Sequence, residues 1–329
     1  MLARTNLNGA LLGLSAFAIY AIHDVVVKTL GGSYAPFQIM FFAVMFSFPL
    51  TILIMMRDKS MDNLRPRHPW WTAIRTLAAV VTGVCAFYAF ANLPLAQTYA
   101  ILFASPLLIT VLSIPILGEK VRVRRWVAVT IGLLGVLIVL RPGQTELTLG
   151  HWAALVAAGT GALASVIVRK IGREERSVVL LLYPMMTNFI VMGAALPFVY
   201  RPMPVEHLGA FGLMALMGVV AGLVLIAAYR AGEAAVIAPM QYSQILWASV
   251  FGFFLFDEEV DLTTGLGAAV VIASGLYIVL RESRSTASDN MPVLRTRSRP
   301  ETGLAPRVST LLPEDAKPKL PNQTSQEGS

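Results

Sequence analysis

The sequence is short of charge and nearly free of cysteine. Asp, Glu, Lys and Arg make up 14% of its 329 residues, against 56% for the hydrophobic types. A soluble domain carries about 25% charged and roughly 45–50% apolar residues. One buried core cannot absorb that excess, so much of the apolar surface must face something other than water. The single cysteine, Cys85, excludes an intrachain disulfide and a cysteine-based metal site. It lies in an apolar run and reads as a small buried hydrophobe. Also missing are the spacings of common enzyme sites: no HExxH, no P-loop and no paired-Asp motif occurs. Three of the four histidines (His23, His68, His151, His207) lie in or beside expected loops. Neither an enzyme, nor a cofactor or metal, nor ATP drive from within this chain is expected. The net charge of +7 raises nucleic acid as a partner. The basic residues sit in short clusters between apolar runs, however, and no nucleic-acid module is visible, so that partner is excluded.

What is there is a succession of apolar segments. Ten transmembrane helices are expected: 9–28, 37–56, 70–90, 95–117, 126–140, 152–168, 178–200, 208–229, 234–256 and 262–280. Most have the roughly 20 residues that a bilayer core requires, and 126–140 is short. Strands are not expected, because an open sheet cannot satisfy its backbone in lipid and the alternation of a barrel is missing. The fold class is thus an all-α integral membrane protein. The first segment resembles a cleavable signal peptide around Ala16-Phe17-Ala18, but its apolar run continues well past Ala18, so it reads as a retained helix.

Lys and Arg divide the loops into two sides. Arg57, Lys59, Arg65 and Arg67, then Lys120, Arg122, Arg124 and Arg125, then Arg169, Lys170, Arg173 and Arg176 fall on one side, with Arg4 and Arg230. The other side has only Arg141 and Arg201, and its last loop, 257–261, is acidic. The positive-inside rule then places both termini in the cytoplasm, with the bacterial inner membrane as the expected location. Residues 282–329 are rich in Pro, Ser, Thr, Arg and Glu and are expected to form a disordered cytoplasmic tail.

The two halves resemble each other. Leu117-Gly118-Glu119-Lys120-Val121 matches Phe256-Asp257-Glu258-Glu259-Val260, and 135–141 matches 275–281 around Gly135, Gly275 and the closing Arg141 and Arg281. Five spans per half put the copies, 1–141 and 150–281, in opposite orientations. Such inverted repeats are the typical architecture of secondary transporters. The run Phe87-Tyr88-Ala89-Phe90, then Leu93-Pro94-Leu95-Ala96, Ser105-Pro106, Leu117-Gly118-Glu119, and Gly132 with Gly135 before Arg141, resembles the EamA family of the drug/metabolite transporter superfamily. The resemblance implies two inverted five-helix repeats, a central cavity and alternating access. It also implies a small-molecule substrate, drawn from a range that includes amino acids, riboflavin and S-adenosylmethionine, moved in either direction. The second half departs from the motif: Asp257 stands where Gly is usual, and no Pro matches Pro106. The partners expected are the substrate and the bilayer, and a homodimer is compatible with the reading. A membrane receptor, sensor or assembly factor is the alternative function.

Tyr20, Asp24 and Lys28 are spaced four apart and share one helix face. His23, next to Asp24, is expected to point elsewhere. An ionised Asp in a membrane helix costs about 2.5–3.5 kcal/mol at the centre. Two readings are open: substrate contact or proton coupling through Asp24 and His23, or an Asp24–Lys28 ion pair near the outer interface. Arg75, one turn into the third span, either binds an anionic group or anchors at the interface, the latter favoured by the positive-inside rule. In the ninth span Gln241 and Gln244 lie on one face continued by Trp247, and Gln244 corresponds to Ser105 by the repeat. These residues line a cavity for a polar substrate or make interhelical hydrogen bonds. Tyr88, Tyr99 and Tyr242 are further candidates. Glu119 and Glu258, at span ends, are expected to cap helices or pair with basic neighbours. Gly132, Gly135 and Gly275 are expected to allow close helix packing.

Overall fold

The computed structural model describes residues 2–55, 65–119, 121, 123–142, 146–172, 174–232 and 234–284. Arg57, Lys59, Lys120, Arg122 and Arg173, the side chain of Arg4, and the tail beyond Arg284 lie outside the described residues.

Every regular element among the described residues is a helix: α1 (Leu2–Gly31), α2 (Pro36–Met55), α3 (Pro69–Asn92), α4 (Leu95–Leu102), α5 (Ser105–Leu117), α6 (Val123–Leu140), α7 (Leu149–Ile171), α8 (Ser177–Val199), α9 (Val205–Ala231), α10 (Ala234–Ile237), α11 (Ser243–Phe256) and α12 (Leu262–Arg284). A 3₁₀ turn, Ala238–Tyr242, joins α10 to α11. Among the described residues, eight segments are long and apolar enough to cross a membrane, and α2 contributes a shorter apolar stretch, Pro36–Ile52. The expected short fifth span starts earlier than its hydropathy suggested, at Val123, and its 18 residues reach about 27 Å. α12 likewise runs past Leu280 to Arg284.

The fourth and ninth spans are both interrupted near their middles. The residues Phe103 and Ala104 separate α4 from α5, with Phe103 N–H donating to Tyr99 O at 2.9 Å and Ala104 N–H to Ile101 O at 3.0 Å. Pro106 has no N–H to offer the carbonyl four residues back, so the helix cannot run through unchanged. Pro239, inside the 3₁₀ turn, has the same effect in the ninth span.

The most extensive helix pairs are α3 with α7, α1 with α9 and α6 with α12. Gly135 and Gly267 let α6 and α12 cross closely, since a Cβ at Gly135 would lie 2.9 Å from Gly267 O. Gly132 opposes Leu107, and Gly275 leaves the space that the Tyr242 hydroxyl occupies. The core centres on α4 and its neighbours, where Phe87, Phe90, Leu95, Tyr99, Ile101 and Phe103 are fully buried. Leu134 and Leu137 on α6, Ile190 on α8, and Phe253 and Phe254 on α11 point outward instead. In water each would forgo about 1.5–3 kcal/mol of burial. A hydrocarbon surround removes that cost.

Two helix ends share one backbone geometry. α5 ends at Gly118 (φ 71°) and α11 at Asp257 (φ 54°), both in the left-handed region. Glu119 N–H then donates to Ser113 O at 3.4 Å, and Glu258 N–H to Gly252 O at 3.0 Å. The chain turns back in both cases, holding each glutamate beside the end of its own helix. Asp is one of the few L-residues that tolerate this geometry, so Asp257 can hold the same turn that Gly118 makes.

Candidate functional site

α1, α4 and α11 meet at a buried polar chain. His23 Nδ1 and Asp24 Oδ1 are 2.8 Å apart. The Tyr99 hydroxyl donates to Asp24 Oδ2. Gln244 Nε2 donates to the same hydroxyl at 3.2 Å. None of the four side chains is more than 3% exposed. Tyr99 precedes the break between α4 and α5, and Gln244 follows the break before α11, so the chain joins both interrupted spans to α1. Among the described residues, the Gln244 carbonyl oxygen and the neighbouring Ser243 hydroxyl are buried without a hydrogen-bond partner. A buried unsatisfied polar atom costs about 1–3 kcal/mol and calls for an explanation.

The imidazole of His23 does not point away from Asp24 as the helical angle between neighbours suggested. It turns back to the carboxylate and lies nearly perpendicular to the Phe87 ring, centroids 6.3 Å apart. Lys28 does not turn back to Asp24 either. Its ammonium pairs with Glu258 Oε1 at 2.7 Å, donates to Leu93 O at 2.6 Å and lies 5.3 Å from the centroid of Phe256. Glu258 Oε2 in turn accepts from Leu95 N–H at 2.9 Å, capping the N-terminus of α4. Glu258 thus both caps and pairs, as expected of it, but its basic partner is 230 residues away in sequence. Glu119 pairs with Arg169 in the last turn of α7. Beside it, Lys170 donates to Ile116 O at 2.8 Å and lies over the Trp71 ring at 4.3 Å.

The two pairs sit at opposite ends of the bundle. Leu95 begins α4 against Glu258, and α5 ends at Glu119, so the interrupted span runs from one pair to the other. α7 begins near Leu93, where a Cβ on Gly150 would lie 2.9 Å from Leu93 Cγ, and ends at Arg169. A cavity of about 260 Å³ opens at the Glu258 end, lined by Ala96, Gln97, His151, Ala248, Ser249 and Glu258 among others. Ala96 and Ala248 lie about one helical turn from Tyr99 and Gln244, so this cavity reaches the layer next to the polar chain.

Other candidates lie elsewhere. Tyr20 is buried among Phe17, Ala221, Leu225 and Ile237 between α1, α9 and α10. Arg75 is 4% exposed and donates to Leu180 O of α8, so its guanidinium is buried against that helix. Ser105 is pinned to α7 through Ala158 O at 3.2 Å. Tyr242 packs edge-on against Phe103 at 5.0 Å. Gln241 and Tyr88 are half-buried. Trp247 is 36% exposed and stacks on Phe251 at 6.2 Å, outside the polar chain. Sequence reading missed Arg169 as a partner of Glu119, having placed it among loop charges. The available signal was that Lys28 and Arg169 each close the first span of their half, as Glu258 and Glu119 each close the fourth.

The model of the EamA-like transporter family matches this chain twice, over residues 7–141 and 148–281. The chain is 25% identical over 286 residues to an S-adenosylmethionine uptake transporter of Rickettsia prowazekii, covering 87% of this chain and 97% of that protein. It is 29% identical over 250 residues to a riboflavin transporter of Rhizobium johnstonii, covering 74% and 79%. It is 24% identical over 273 residues to the pseudopaline exporter CntI of Pseudomonas aeruginosa, covering 81% and 94%. A solved crystal structure superposes with a TM-score of 0.54 at 15% identity, over 87% of this chain and all of its own. That likeness concerns the fold.

Proposed function

The chain belongs to the EamA-like transporter family, and from that premise we propose that it is a secondary transporter of a small polar or amphiphilic metabolite. It works across the bacterial inner membrane by alternating access between two inverted five-helix repeats, with both termini cytoplasmic. The observation that carries this reading is the polar chain His23–Asp24–Tyr99–Gln244, buried where two interrupted spans meet α1. Interrupted helices near the midplane are where transporters of inverted-repeat design place substrate and coupling ions.

The groups left over at this point can accept hydrogen bonds: the Gln244 carbonyl and the Ser243 hydroxyl, beside the Asp24 carboxylate. A substrate bringing N–H or O–H donors would satisfy them, and Phe87, Phe90 and Phe103 would flank its apolar part. The relatives differ in named cargo and direction, so their names support transport and leave the cargo to experiment. His23 and Asp24, an imidazole and a carboxylate in direct contact, together supply a pair able to take up and release a coupling proton.

The test is a comparison of metabolites in cells and medium between a deletion strain and its parent, with radiolabelled S-adenosylmethionine and riboflavin as the first probes in proteoliposomes. Transport is expected to respond to an imposed pH gradient in the wild type and to lose that response in Asp24→Asn. Unchanged, gradient-responsive flux in Asp24→Asn would remove Asp24 from the mechanism. No metabolite difference under any condition, with no flux of any probe, would favour a receptor or assembly role.

A further inference from the structure

Lys28–Glu258 and Arg169–Glu119 are built alike. In each, a base in the last turn of a long helix (α1 or α7) meets a glutamate that a left-handed residue turns back at the end of the second half of an interrupted span (α11 or α5). In each, a lysine ammonium also reaches a backbone carbonyl close by, Leu93 O or Ile116 O, and lies against an aromatic ring, Phe256 or Trp71. The four paired side chains are only 10–16% exposed. The pairs occupy opposite ends of the bundle, and the polar chain between them is closed to solvent.

Resting on the alternating-access reading, we infer that these two ion pairs are the latches of the transport cycle. Lys28–Glu258 holds α1 and the α3–α4 turn to α11 at one end, and Arg169–Glu119 holds α7 to α5 at the other. The structure has both pairs formed. Access from either end requires that end's pair to separate while the other stays closed, since parting both would open a leak. Coulomb attraction between partly buried charges is strong at contact and falls away as water enters, which suits a two-position contact better than a graded one.

The test uses the purified full-length chain in nanodiscs, where both faces are accessible, in a Cys85→Ala background. Reporters are Val27→Cys, next to Lys28, and Ser165→Cys, one turn before Arg169; both positions are buried. The readout is the labelling rate with a hydrophilic maleimide. Glu258→Gln and Lys28→Gln are expected to raise labelling at position 27 at least about fivefold and to lower it at 165, as a shifted two-state equilibrium requires. Glu119→Gln and Arg169→Gln are expected to do the reverse. Variants that raise both reporters, or neither, overturn the inference. Should a single variant fail to purify folded, the Lys28→Glu/Glu258→Lys swap carries the test: wild-type labelling at both reporters supports the latch, and labelling raised at both refutes it. The readout needs no substrate. Reciprocal labelling without flux would sink the transport reading and leave the latches standing, and flux without reciprocity would do the opposite.

Discussion

Replacing Tyr99 by Phe removes one oxygen atom and keeps the packing of the ring against Phe90 and Phe103. That oxygen has two jobs: it donates to Asp24 Oδ2 and accepts from Gln244 Nε2. Both partners are fully buried, so neither can turn to water. Each orphaned group costs about 1–3 kcal/mol, with bonds to charged partners at the upper end. Asp24 keeps its bond to His23, which confines the sum to roughly 2–4 kcal/mol by the same scale. At about 2 °C per kcal/mol for a large chain, the Tm falls by about 4–8 °C. Thermal unfolding of the detergent-solubilised chain, followed by tryptophan fluorescence, measures this. Tyr88→Phe, at a half-buried ring outside the polar chain, is the control and shifts Tm by under about 1 °C. Gln244→Leu closes a double-mutant cycle with Tyr99→Phe, and a coupling of about 0.5–3 kcal/mol is expected for groups in direct contact. A Tm for Tyr99→Phe within about 1 °C of wild type, or strict additivity with Gln244→Leu, would refute the network as drawn.

The two left-handed helix ends respond oppositely to substitution. Gly118→Ala strains the end of α5 and destabilises by about 1 kcal/mol, whereas Asp257→Gly relieves strain at α11 and stabilises by about 0.5–1 kcal/mol, both read as Tm shifts. Gly135→Val forces α6 from α12, where Gly267 O is 2.9 Å from the added Cβ, and costs about 1–3 kcal/mol. Gly159→Ala meets nothing within 4 Å and is expected to be neutral or to stabilise by up to about 1 kcal/mol through helix propensity, measured in the same assay.

Helix positions were legible because membrane insertion is a local property: about twenty apolar residues in a row suffice, whatever surrounds them. The short fifth span shows the limit, since hydropathy stops at Trp126 while the helix begins at Val123 with arginines in its first turn. The interruptions of the fourth and ninth spans were not anticipated, since both spans were read as continuous, although Pro106 and Pro239 lie at the breaks. Of the site, Asp24, Tyr99 and Gln244 could each be picked out as polar groups in apolar helices, but not as one chain. Adjacent residues point about 100° apart on a helix, so His23 was expected to leave Asp24, and the flexible reach of the imidazole reverses that. Trp247 shared a helical face with Gln244 on spacing, yet three residues leave it about 60° further round α11, far enough to carry it from the buried face to the half-exposed edge.

The sequence by itself determined that this chain is helical, where most of its spans begin and end to within a few residues, and which rare polar groups must be accommodated inside. Hydrophobicity and backbone satisfaction act residue by residue, and that makes them readable. Only the tertiary structure decided the pairings: Asp24 with Tyr99 across 75 positions, Glu119 with Arg169 across 50, and Lys28 with Glu258 across 230. A charge buried in a low-dielectric bundle must find an opposite charge or a dipole. Its own neighbours at four-residue spacing were the obvious candidates, and the fold supplied others from helices 50 to 230 residues away.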